Sequence, residues 1–324
     1  MAKLHIVNRA ALPLHADLLI AGAHCALATN SEQLLESVSR WRSPGRPPSN
    51  RTFEMNVLLD SSLPSHHDVK TQTHFRGLHH LVFATIGPYE LFTFDLLRKQ
   101  VVGAVSLASA TNAAFWNFHW LPVTVGIMGT TVGVVPLHSA CLDLDGKGLL
   151  IAGVSGAGKS TLSVALARCG FSLISDDWTY LSTEADGLIA HGVSAPVKLL
   201  PDALQYFPEL RGRTPQVWFN GELAFEITPE EFCPNATALR SRPHWVLFLE
   251  RTSEPGCDFA PYNAEDAQEF FESSAERLPD QVPEASRSRS AVIRSITDGG
   301  AWRLRTGESP QATAHAIRQF CERN

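Results

Sequence analysis

Residues 148–178, GLLIAGVSGAGKSTLSVALARCGFSLISDDW, decide the fold. An apolar run from Gly148 to Ala152 leads into Gly153, Val154, Ser155, Gly156, Ala157, Gly158, Lys159, Ser160 and Thr161, which fit G-x-x-x-x-G-K-[ST] residue for residue. Glycines in such a loop let backbone N–H groups turn inward around phosphate oxygens. The helix that follows adds its positive end, and Lys159 can reach the β and γ phosphates. The Ser160 hydroxyl is placed to ligate Mg²⁺. Leu162, Ala165 and Leu166 predict a short helix that stops at Gly170, and FSLIS (171–175) predicts the next strand. Strand, glycine loop, helix and strand in this order predict an α/β fold around a nucleotide site.

Asp176 and Asp177 follow Lys159 by only 17 and 18 positions. A helix of about three turns carries the chain back, so the next strand ends near the phosphates. Adjacent residues at a strand end point to opposite sides, which predicts two jobs. One carboxylate can hold the metal while the other takes the proton of an acceptor, help typically worth ~10²- to 10⁴-fold in rate. A hydrolase has only water to position, whereas a kinase gains from a base aimed at an alcohol.

The preceding stretch, PLHSACLDLDGKG (136–148), carries His138 and a strong turn signal, DGKG, between two strand-like runs. By itself His138 is a strand or core histidine. Taken together, residues 136–181 resemble the core of the HPr kinase/phosphorylases and of shorter relatives, the serine kinases associated with lasso-peptide biosynthesis. That family has a histidine before the hairpin, a G-x-S-G-x-G-K-[ST] loop, and an Asp-Asp pair after a short helix and strand. The order is also similar to that in phosphoenolpyruvate carboxykinase.

The resemblance implies an α/β, PEPCK/HPr-kinase-like catalytic domain over 121–324, preceded by a small mixed α+β domain over 1–120 for accessory or substrate-docking work. It implies ATP and Mg²⁺ as cofactors. Lys159 and the loop amides of 153–161 would hold the β and γ phosphates, with Ser160 and Asp177 on the metal. Asp176 would be the catalytic base, and His138 would lie near the transferred phosphate or a second metal. The implied partner is a peptide or protein with an acceptor serine, and a homo-oligomer is left open. Where the bifunctional family carries E-[IL]-R-G-x-G, this chain has PELRGRTP (208–215), and the later P-G-R-N motif is absent.

Composition fits this reading. A chain of 324 residues suggests two domains, and 44% hydrophobic with 19% charged residues is the balance of an ordinary globular protein. A net charge of -6 argues against a nucleic-acid partner. The six cysteines (25, 141, 169, 233, 257, 321) show no CxxC and read as reduced thiols. The early apolar run imitates a signal peptide, but His15 and Asp17 interrupt it, and a first strand is expected. No run approaches the ~20 apolar residues of a membrane span, so a cytoplasmic protein is expected.

Elsewhere, TNSEQLLESVSRW (29–41) predicts a helix capped at Asn30 or Ser31, FEMNV (53–57) a strand, and HLVFATIGPYELFTFDLL (80–97) two strands joined at Gly87-Pro88. The aromatic-rich 111–137 segment reads as a buried helix or strand pair. SHHD (65–68), His74, His79 and His80 read as solvent-facing or locally bonded histidines rather than as a zinc site. The stretch 278–292 is polar, contains prolines and is expected to be exposed. Two other functions compete with a kinase: a nucleotide-driven ATPase or switch, with Glu250 at the end of WVLFLE as a distant second acid, and a nucleotide-binding scaffold. Neither the S-G-G-Q run of transporter ATPases nor the N-K-x-D of GTPases is present.

Overall fold

The computed structural model describes residues 11–43, 51–64, 73–193, 195–218, 221–231, 236–275 and 277–324. The chain divides into two compact units: Met1–Val134 with Phe219–Gly221 and Leu278–Ser286, and Val135–Trp218 with Glu222–Arg277 and Arg287–Asn324.

The first unit is a seven-stranded sheet of β1 (Leu14–Ile20), β2 (Ala23–Thr29), β3 (Thr52–Leu59), β4 (Thr73–Leu78), β5 (Leu81–Ile86), β6 (Glu90–Asp95) and β7 (Gln100–Val105), in the order β1-β2-β3-β7-β6-β5-β4. From Leu14 onward the interrupted apolar run is a strand pair, and β5 and β6 meet at the expected Gly87-Pro88 turn. Ser31 caps the helix Glu32–Ser37 by accepting from the Leu34 N–H. The aromatic segment is helical: Trp116 and Trp120 are fully buried, and the Trp120 ring centroid lies 4.2 Å from that of Phe92 and 5.9 Å from that of Phe94. These rings fill a core and leave no open aromatic box.

The second unit centres on a nine-stranded mixed sheet: β8 (Val134–His138), β9 (Ala140–Leu144), β10 (Lys147–Ala152), β11 (Ser172–Ser175), β12 (Trp178–Glu184), β13 (Gly187–His191), β17 (Arg240–Arg251), β18 (Cys257–Tyr262) and β19 (Ala301–Thr306). Its main order is β11-β9-β10-β17-β13-β12-β8, with β19 between β17 and β18. A separate sheet joins β14 (Val197–Leu199), β16 (Leu223–Ile227) and β15 (Gln216–Val217). The β9–β10 turn places both Asp145 (φ 54) and Gly146 (φ 85) in the left-handed region. Leu144 lies opposite Lys147, the geometry that a tight two-residue hairpin of this composition adopts.

The helix Lys159–Arg168 buries Leu162, Ala165 and Leu166 in one core with Leu149 and Ile151 of β10 and with Ala314 and Ile317 of the C-terminal helix Pro310–Arg323. On the other side, Leu150, Val246 and Phe248 pack with Ala267 and Phe271 of the helix Ala264–Ser273. The polar stretch 278–292 is mostly exposed or half-buried, as expected, but from Pro283 it is helical, and the helix Pro283–Asp298 buries Val292, Ile293 and Ile296 in this second core. Pro283 suits its first turn, where no N–H is needed. Its apolar residues cluster late, after a run of serines and arginines that hides the periodicity.

Candidate active site

Register explains why the loop and the aspartates meet. Cys141 of β9 lies opposite Leu150 of β10 on one side and Ser175 of β11 on the other, and both pairings are antiparallel. β10 and β11 therefore run parallel with one strand between them. Both end at the same edge of the sheet, so the phosphate loop after Ala152 and the aspartates after Ser175 emerge side by side. β8 ends at His138 immediately before β9 starts at that edge.

Within the loop, Gly156 (φ 81) and Gly158 (φ 91) adopt left-handed backbone that any side chain would strain. Gly153 lies against β17, where a Cβ would come within 2.9 Å of the Leu249 carbonyl oxygen. Val154, Ser155 and Gly156 are exposed at the tip, Ala157 is buried, and Ser160 and Thr161 are half-buried at the start of the helix. Lys159 is only 7% exposed and donates from Nζ to the Gly153 carbonyl at 2.8 Å. Burial pulls its ammonium below the usual lysine range, although the charges of Asp177 and Asp176 push the other way.

The two aspartates sit in different surroundings. Asp176 is half-buried. Burial, reinforced by the charge of Asp177, raises its carboxyl to about 6, against the opposing charge of Lys198 and a hydrogen bond donated by the Ser160 hydroxyl. The Asp177 side chain is 59% exposed, and its Oδ1 lies 3.1 Å from Nε2 of His138. What burial it has raises Asp177. The His138 hydrogen bond and the charges of His138, Lys198 and Lys159 outweigh that and hold it below the ordinary carboxylate range. One strand end thus carries an acid that binds a proton near neutrality beside an acid that stays ionised.

Packing fixes these groups. The His138 ring stacks on Trp178, with centroids 5.3 Å apart and planes at 19°. Below them Thr179 Oγ1 donates to the Ser139 carbonyl at 2.8 Å and lies 2.6 Å from Ser175 Oγ, tying the strands that carry the aspartates to the backbone beside His138. Gly192 packs so closely on β11 that a Cβ would come within 1.7 Å of the Ile174 carbonyl oxygen.

The structure thus gathers the loop residues 153–161, Asp176, Asp177 and His138 at one edge. It sets other candidates elsewhere. Glu209 of PELRGRTP pairs with Arg168 at the C-terminal end of the loop helix, and Leu210 is buried in the core. Glu250 is 53% exposed at the end of β17 and faces Arg305 of β19 at 3.9 Å. In the first unit His80 lies 3.9 Å from Asp95, and His119 Nε2 lies 3.0 Å from Thr73 Oγ1. His66, His67, Asp68 and Cys233 lie outside the described residues. Among the described residues, no group of three or more His, Cys, Asp or Glu could hold a metal ion, and no helix is long and apolar enough to cross a membrane. Two residues that no motif pointed to also belong near the aspartates: Lys198 of β14, whose charge acts on both, and Trp218, whose ring lies 4.0 Å from the Lys198 ammonium.

The strand, glycine loop and helix, with paired acids returning beside them in a mixed sheet, make the second unit an α/β fold. Comparison with known proteins narrows that class. No family model matches the chain. The HPr kinase/phosphorylase of Bordetella pertussis is 40% identical over 120 residues, which is 36% of this chain and 35% of that protein. The HPr kinase/phosphorylase of Lachnoclostridium phytofermentans is 32% identical over 78 residues, 24% of this chain and 23% of that one. The chain therefore spans about a third or less of the length of these curated relatives. A solved structure of the Hpr(Ser) kinase/phosphatase from Coxiella burnetii matches with a TM-score of 0.34 and 16% identity, over 58% of this chain and 97% of that chain. By its sequence relatives the chain is HPr-kinase-like.

Proposed function

We propose that this chain is a Mg²⁺- and ATP-dependent kinase that transfers the γ-phosphoryl group to a hydroxyl, that of a serine on a peptide or protein. The observation that carries this reading is the unequal pair of acids beside the loop. Asp176 titrates near 6 and touches the Ser160 hydroxyl, while Asp177 is kept ionised by His138.

The residues present suit the cofactor. A left-handed glycine loop at a helix N-terminus offers N–H groups to phosphate, and a serine hydroxyl with one or two carboxylates is the hard-oxygen donor set that Mg²⁺ takes when phosphates complete its shell. Bound Mg·ATP would supply an electrophilic γ-phosphorus and neutralise part of its charge. Lys159 would exchange its bond to Gly153 for the phosphates. Ser160 and Asp177 would hold the metal, with His138 and its Trp178 stack fixing the Asp177 rotamer. Asp176 would take the proton of the acceptor hydroxyl as the acceptor oxygen bonds to the γ-phosphorus and the bond from that phosphorus to the β–γ bridging oxygen breaks, releasing ADP; a carboxylate raised to about 6 is well matched to that task at neutral pH. The relatives' name supplies the precedent of a protein acceptor, and the use of ATP carries a cytoplasmic setting with it.

Asp176→Asn tests the assignment. The variant is expected to bind Mg·ATP as the wild type does and to transfer label from γ-labelled ATP at a rate ~10²- to 10⁴-fold lower. Undiminished transfer would remove Asp176 as the base.

A further inference from the structure

Lys198 stands out as a cation that the reaction described above does not use. Its neighbours on β14, Val197 and Leu199, are fully buried in the core that holds Leu162, Ala165 and Leu166 of the loop helix. Strand alternation turns Lys198 to the other face, where it is half-buried. There its ammonium rests 4.0 Å from the ring centroid of Trp218, itself only 8% exposed. Its charge acts on both aspartates, and on Asp177 ahead of that of Lys159. Among the described residues it forms no ion pair, although its charge also acts on its solvent-exposed cross-strand neighbour Glu226.

This combination is informative. A lysine meant only to neutralise the acids would be expected to pair with one of them. A cation whose charge acts on Asp176, Asp177 and Glu226 without closing on any of them keeps its ammonium available to an anion. The aromatic face fixes the ammonium in position and, unlike a carboxylate, does not cancel its charge. Phosphoryl transfer calls for such a group, because negative charge spreads over the equatorial oxygens of the transferring phosphorus and is stabilised by cations already in place.

We propose that Lys198 is a second phosphoryl-binding cation, held by Trp218 beside the aspartate pair and supplied by a different element from Lys159. The proposal rests on the phosphate-loop reading of the site. It assigns Lys198 to the transferring group rather than to the nucleotide as a whole, so its loss should be felt in the transition state and not in product binding.

Titration calorimetry with Mg·ADP, alone and with aluminium fluoride as a mimic of the transferring phosphoryl group, separates the possibilities. Lys198→Met should leave Mg·ADP affinity within about twofold of the wild type and weaken the aluminium fluoride complex at least about tenfold. Lys198→Arg, which keeps the charge and can stack on Trp218, should recover most of the loss. Unchanged binding of the aluminium fluoride complex by Lys198→Met would overturn the proposal, and so would an equal loss of both ligands, which is the mark of a purely structural residue. A wild type that binds no Mg·ADP would remove the phosphate-loop reading and the proposal together. A wild type that binds both ligands but labels no acceptor would remove the kinase reading, while the Lys198→Met result would still stand for or against Lys198.

Discussion

Asp176→Asn should make the ligand-free protein more stable while it slows transfer ~10²- to 10⁴-fold. Burial and the neighbouring Asp177 raise the Asp176 carboxyl from 3.8 to about 6. The folded state thus binds this proton more tightly than the unfolded chain does. Stability from the group is complete below pH 3.8 and is lost as pH rises through about 6. Two units at 1.36 kcal/mol each set a ceiling of ~3 kcal/mol on the cost of ionising Asp176 at pH 8. Solvent reaching the half-buried side chain lowers this to about 1–2 kcal/mol. Asparagine keeps an oxygen to accept from Ser160 and removes the charge. In metal-free buffer at pH 8 the variant should melt about 3–6 °C above the wild type, for a unit of this size. At pH 4 the two should melt together, with the gap opening between about pH 4 and 6. Calorimetric melting at several pH values makes the comparison. A gap independent of pH, or a variant less stable at pH 8, would refute the claim that the site holds a strained carboxylate.

Lys159→Ala removes a buried ammonium that donates to Gly153 and, on this account, to phosphate; nucleotide affinity measured by calorimetry should fall at least ~10-fold, and unchanged affinity would count against the loop. Gly192→Ala would push a Cβ into the Ile174 carbonyl two residues before Asp176, at 1.7 Å. It should cost about 1–3 kcal/mol or more in a urea titration and lower transfer by displacing β11, and a variant with the wild-type midpoint and activity would show that this close approach does not set the aspartates.

Much of the site could be read in the sequence because it is nearly contiguous. His138, the Asp145-Gly146 turn, the loop and the aspartate pair lie within some forty residues, so their spacing alone implies that they share one sheet edge. The helix cap near residue 31 was equally legible, since Ser31 accepts a hydrogen bond from the Leu34 N–H in the first turn that follows. Lys198, Trp218 and Gly192 were not. Lys198 lies on a three-residue strand, Trp218 just past a two-residue strand and Gly192 in the loop between sheets, where no periodicity builds up, and only the folded chain brings them to the acids. The helix Pro283–Asp298 was hidden for a different reason: its buried face is carried by a few residues near its end, behind a serine- and arginine-rich start. Likewise, nothing local in PELRGRTP indicates that Glu209 reaches back to Arg168 and fixes the far end of the loop helix.

The central claim is that the aspartate pair directs phosphoryl transfer to an alcohol rather than to water. Incubating the wild-type protein with Mg²⁺ and γ-labelled ATP, with and without a set of serine-containing peptides and an extract, and measuring how the label partitions tests it directly. Label is expected on serine hydroxyls of a peptide or protein, in excess of free phosphate. Label found only as free phosphate, released at a substantial rate whatever acceptor is offered, would contradict it.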